Sequence, residues 1–238
     1  MEQAPRQDVH IAEDGLTLHG TLTLPREAKG IVIFAHGSGS SRLSPRNLMV
    51  ATYFAEAGLA TLLFDLLTAE EEQLDAKTRH LRFDIDLLSE RLALATHWVK
   101  HREETALLPI GYFGASTGAA AALVASTEMN GDISAIVSRG GRPDLALSVL
   151  AYVETPTLLI VGSQDEPVIE LNRRAMSVMG RAAVKMEIVR GAHHLFEEEG
   201  TLEQVAELAR TWFMTHLRPP DETQSAAMGA RSTPWLDL

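Results

Sequence analysis

The chain has 238 residues, a formal net charge of −11 and no cysteine. The absence of thiols excludes disulfides, thiolate metal sites and a cysteine nucleophile together. An acidic chain with no clustered positive charge is not built to bind nucleic acid. Aromatic residues make up only 5% of the sequence, so Leu, Val, Ile and Ala must fill the core.

The opening residues, Met1-Glu2-Gln3-Ala4-Pro5-Arg6-Gln7-Asp8, lack the basic stretch and apolar run of a signal peptide. No segment reaches the ~18 uninterrupted apolar residues of a membrane-spanning helix. The expectation is a cytoplasmic protein with no membrane association. Residues 9–24 alternate polar and apolar positions around Gly15 and Gly20, which predicts an edge hairpin. Ile31-Val32-Ile33-Phe34-Ala35 is an unbroken apolar run, the pattern of a strand buried on both faces of a parallel sheet.

A small polar loop, His36-Gly37-Ser38-Gly39-Ser40-Ser41, follows, then a helix over 47–57 and a buried strand over 59–64 that ends in Asp65. Residues 66–82 are charged and less regular. A helix is predicted over 84–101, with Leu87, Leu88, Leu92, Leu94 and Trp98 on its apolar side. Strands are predicted over 110–115, 133–138, 157–161 and 184–189, and helices over 116–127, 169–179 and 201–217. Alternation of strand and helix throughout predicts an α/β fold, a mostly parallel sheet with helices on both faces. Residues 1–217 form a single domain on this reading. Residues 218–238 change to Pro, Gly and Ser-rich composition and read as a tail. Because it closes on Trp235, Leu236 and Leu238, a free end competes with docking onto its own domain or onto a neighbouring subunit of a homo-oligomer.

Gly114-Ala115-Ser116-Thr117-Gly118 fits the G-x-S-x-G pattern and lies between a predicted strand and an Ala-rich helix. A turn that abrupt projects the Ser116 hydroxyl clear of the sheet and needs small residues on either side. The competing reading is an ordinary serine helix cap. His36-Gly37-Ser38-Gly39 suits an oxyanion loop, with the backbone N–H of Ser38 and that of Thr117 as the two donors. A phosphate-binding loop is disfavoured by the missing Gly-Lys-Ser/Thr ending. His36 itself reads as structural.

A serine nucleophile requires a histidine base and a carboxylate that orients it, in chain order Ser, acid, His. Asp165, directly after a predicted strand, is preferred over Glu166. His193 and His194 both follow the last strand. The cluster His193, His194, Glu197, Glu198 and Glu199 matches no zinc spacing, so no metal and no cofactor are expected. Arg139, at a strand end, is a candidate to bind an anionic substrate, with a structural salt bridge as its rival.

These pieces, in this order, resemble the α/β-hydrolase superfamily and its dienelactone-hydrolase-like branch over residues 9–217. Arg79-His80-Leu81-Arg82-Phe83-Asp84 and Ser138-Arg139-Gly140-Gly141-Arg142-Pro143-Asp144 add to the likeness. The resemblance implies an α/β-hydrolase fold with a minimal cap, formed only from residues 66–82. It implies a triad of Ser116, Asp165 and His194, because the histidine of that branch precedes a Leu-Phe pair, here Leu195-Phe196. Dienelactone hydrolases proper use a cysteine nucleophile, so the resemblance does not carry their substrate. The activity it implies is serine carboxylesterase-type hydrolysis of small-molecule esters. A thioesterase, an acyltransferase with the same triad, and a non-catalytic binding protein on the fold are the alternatives.

Overall fold

The computed structural model describes residues 4–129 and 131–217. The tail expected from residue 218 onward lies outside them.

Strands β1 (Arg6–Glu13) and β2 (Leu16–Thr23) form the expected hairpin. Asp14 and Gly15 join them, both at positive φ (47° and 85°), the backbone twist a two-residue hairpin turn requires. The remaining strands are β3 (Ile31–Ala35), β4 (Ala60–Phe64), β5 (Ile110–Ala115), β6 (Ile133–Arg139), β7 (Thr157–Gly162) and β8 (Val184–Val189). Together they make one eight-stranded sheet in the order β1-β2-β4-β3-β5-β6-β7-β8. Pairing is antiparallel at β1/β2 and β2/β4, and parallel from β4 through β8. Every residue of β3, β4, β5 and β7 is buried. Their unbroken apolar runs have that cause: both faces are covered by helices.

Helices α1 (Pro45–Glu56) and α6 (Thr201–His216) cover one face. Helices α3 (Ile85–Lys100), α4 (Thr117–Glu128) and α5 (Glu166–Val178) cover the other. Between α1 and α6 the scarce aromatics are concentrated. Phe54 meets Phe34, Phe113 and Phe213 at ring-centroid distances of 5.8, 5.8 and 5.5 Å. Gly111 makes room for this packing, since a Cβ there would stand 2.6 Å from the Phe213 ring.

One element departs from the sequence expectation. Residues 66–82 contain a regular helix, α2 (Ala69–Thr78). Its only buried residue is Asp75, so it has no apolar stripe for periodicity to detect. The helix is set at its start instead. The Thr68 hydroxyl accepts from the Glu71 N–H, and the Glu71 carboxylate accepts from the Thr68 N–H, a reciprocal capping box. No helix among the described residues is long and apolar enough to cross a membrane.

Phe54 is fully buried at the centre of the aromatic cluster. Phe54→Ala is expected to lower unfolding free energy by about 3–5 kcal/mol in urea titrations followed by circular dichroism. A loss under about 1 kcal/mol would show that the α1/α6 face does not depend on this packing.

Candidate active site

Strand β5 passes into α4 through a single residue, Ser116, at φ 50° and ψ −116°. A non-glycine residue at positive φ is strained, and persists only where its surroundings over-determine it. Here they do. The Ser116 N–H donates to the Arg139 carbonyl at 3.2 Å, and its carbonyl accepts from the N–H groups of Arg142 (3.1 Å) and Ala119 (3.2 Å). The flanking glycines let the backbones approach. A Cβ on Gly114 would fall 2.4 Å from the Ala119 Cα, and one on Gly118 would fall 2.2 Å from the Ala35 carbonyl oxygen. The Ala119–Ala122 run, fully buried, keeps α4 close to the sheet behind the turn.

The loop after β3 lies against this turn. A Cβ on Gly37 would be 3.1 Å from the Ser116 Cβ. Gly37, Ser38, Gly39, Ser40 and Thr117 line one cleft. The N–H groups of Ser38 and Thr117 take no partner from the described residues, so both donors are free for a ligand.

His36 holds this loop. Its Nε2 accepts from the Leu66 N–H at 3.1 Å, which places the ring proton on Nδ1, where it donates to the Gly37 carbonyl at 3.0 Å. Burial pushes its pKa below the ordinary histidine value, so it stays neutral. The residue is structural, as its position in the sequence implied.

Further supports of the loop were not foreseen. Asp65, at the end of β4, accepts from the Arg42 N–H (2.8 Å) and pairs with its guanidinium (2.5 Å). Arg82 binds the buried Asp75 carboxylate through Nε at 2.6 Å, and its Nη1 faces Gly39. The signal for these pairs was charge between buried strands, where a carboxylate must find a partner.

Asp165 stands at the N-cap position of α5, three residues past β7, with its side chain not spent on capping, and Glu166 is exposed at the first helical position. The His194 Nδ1–H donates to Asp165 Oδ2 at 2.7 Å, and His194 Nε2 lies 3.4 Å from Ser116 Oγ. Gly162 permits the encounter, since a Cβ there would lie 2.3 Å from the Ala192 carbonyl oxygen. The neighbouring His193 points outward and pairs with Glu198 at 2.6 Å. Ser116, Asp165 and His194 are therefore brought together, while His193 and Glu166 are not.

Arg139 ends β6 with its side chain buried. Its Nε and Nη1 have no hydrogen-bond partner, and the structure gives it no ion pair. Burial lowers its pKa to about 10, with the nearby charge of Arg46 adding to the effect. The expected rival reading, a salt bridge, is not what the structure shows.

The sheet order, and a serine turn facing a His-Asp pair at the sheet's C-terminal edge, define an α/β hydrolase. The profile of the dienelactone hydrolase family matches residues 18–216, and the chain belongs to that family. It is 54% identical to a dienelactone hydrolase from Anabaena variabilis of known structure. The alignment covers 91% of this chain and all of that one, with a TM-score of 0.89. A Pyrococcus furiosus esterase shares the fold at 18% identity and a TM-score of 0.71, over 90% of this chain and 92% of its own. Two Mycobacterium tuberculosis proteins, from strains CDC 1551 and H37Rv, carry the provisional name phosphoribosyl transferase. They are 53% identical over 214 residues, 90% of this chain. The match covers 47% of their length, so the chain spans about half of these curated relatives. Family and fold together indicate a hydrolase.

The neutral state of His36 has a pH signature. A depressed folded pKa contributes stability above the unfolded value of about 6.5, and that contribution is lost as pH falls through the folded pKa. Replacing it by the non-titrating His36→Gln is expected to flatten the fall in urea midpoint between pH 7.5 and 5. Parallel pH profiles for the two proteins would exclude this role.

Proposed function

We propose that the chain hydrolyses small carboxylic esters through an acyl-enzyme on Ser116. The observation that carries this reading is the continuous contact from Asp165 through His194 to a nucleophile held in a strained, projecting turn. His194 Nε2 accepts the Ser116 proton as Oγ attacks the ester carbonyl. Asp165 fixes the tautomer that leaves Nε2 free and stabilises the imidazolium that forms. A separation of 3.4 Å suits a resting site, where this contact is commonly looser than in the reacting complex.

The Ser38 and Thr117 N–H groups, unspent and facing one cleft, then serve the tetrahedral oxyanion. His194 returns its proton to the departing alcohol. It next activates the water that releases the acid and restores Ser116. The mechanism calls on no cofactor. The cap is small, limited to α2 and the turn at Leu81–Phe83, and this supports compact substrates. The same machinery would serve a thioester or transfer the acyl group to another alcohol, and substrate profiling separates those outcomes. The transferase name belongs to the mycobacterial relatives, of whose length this chain spans about half.

A fluorophosphonate probe is expected to label Ser116, located by peptide mapping. Hydrolysis of short p-nitrophenyl esters should fall by about 10⁴-fold or more in Ser116→Ala and about 10⁴-fold in Asp165→Asn. His194→Ala should be inactive while His193→Ala retains most turnover. Full activity in Ser116→Ala, or an adduct on another residue, would overturn the assignment.

A further inference from the structure

Among the described residues Arg139 is the one arginine that is buried, at 7% exposure. Other arginines that are partly withdrawn from water have a carboxylate: Arg42 has Asp65, Arg82 has Asp75 and Arg91 has Glu71. Arg139 has neither a carboxylate nor an aromatic ring to stack on. A charged guanidinium with Nε and Nη1 buried and unpartnered is among the costlier arrangements a fold can hold. Such a cost is retained where a ligand supplies the missing anion.

Position points to the same conclusion. Arg139 pairs in register with Ala115, next to the nucleophile, and its own carbonyl holds the Ser116 N–H. Alternation along β6 puts its side chain on the face of Val137, the face that α1 and α6 cover. There the nearby charge is a second cation. Arg46, in the first turn of α1, also has a buried Nε without a partner. Its Nη1 binds Glu197, three residues beyond His194, at 2.7 Å. The Glu197 side chain is 61% exposed, so it can surrender this bond to water at little cost. The cluster therefore has one guanidinium without an ion pair and one held by an exchangeable partner.

We propose that Arg139 and Arg46 form a subsite for a phosphate group carried by the ester substrate. This rests on the hydrolase reading of Ser116 and extends it to a substrate class, small acyl esters that also bear a phosphate monoester. A carboxylate would satisfy Arg139 alone. A phosphate dianion has the charge for both guanidinium groups once Glu197 turns away, and three terminal oxygens to accept from them.

The test uses the full chain carrying Ser116→Ala, which needs no turnover, titrated calorimetrically with inorganic phosphate and separately with succinate. Phosphate is expected to bind more tightly than succinate. Adding Arg139→Met, or Arg46→Gln, should weaken phosphate at least tenfold. Without ligand, Arg139→Met should melt about 4 °C or more above its parent, since it removes an unpaired buried charge. In the wild type, phosphate should inhibit hydrolysis of p-nitrophenyl acetate competitively, and that inhibition should weaken in the Arg46→Gln variant. Absence of phosphate binding, binding unchanged by both substitutions, or tighter binding of succinate would each overturn the proposal. Failure of Ser116 to take the fluorophosphonate would remove the hydrolase reading, while the titration would still decide whether the anion subsite exists.

Discussion

One residue held at positive φ organises the C-terminal edge of the sheet. Ser116 can keep that conformation only because three neighbouring backbones converge on it: β3 with its loop, the turn after β6, and the first turn of α4. Each convergence removes a Cβ from somewhere. Gly118 clears the Ala35 carbonyl, Gly114 clears α4, and Gly37 clears Ser116 itself. The strain is thus held by close approach of packed elements, and those elements carry the 37–39 loop and the Arg139 carbonyl with them. Geometry that projects the half-buried hydroxyl toward His194 also fixes the backbone groups around it.

Two histidines near this turn show how environment divides one residue type into two tasks. His36 is buried, spends both ring nitrogens on backbone groups and is held neutral, so it has no proton to exchange with a ligand. His194 is partly exposed and spends only Nδ1, on Asp165, leaving Nε2 toward Ser116. The difference follows from where each loop leaves the sheet. His36 stands on a central strand under the 66–67 segment, whereas His194 follows the outermost strand and closes over the edge.

Much of this was legible in the sequence because the chemistry is written in residue order. The unbroken apolar runs at 31–35 and 110–115 gave parallel buried strands, and small residues after each of them marked the turns. What could not be read was anything set by side chains meeting across space. Helix α2 escaped because it packs through charges, with Asp75 buried against Arg82, and hydrophobic periodicity has no purchase there. A choice between His193 and His194 needed the family's Leu-Phe pattern, since adjacency in sequence does not say which ring turns inward. Arg139 could be placed at a strand end but not seen to lack a partner, because an unpaired charge is a property of the folded surroundings.

The sheet also encloses unevenly the three strands that lead to Ser116, Asp165 and His194. Ser116 follows β5, a strand with every residue buried, and Asp165 follows β7, equally enclosed. His194 follows β8, the edge strand, of which only Val189 is fully buried. Local opening is drawn from regions with few buried contacts and solvent-facing hydrogen bonds. The segment that carries His194 is held by its neighbours instead: Ala192 and Phe196, on either side of it, are fully buried in the cluster under α6.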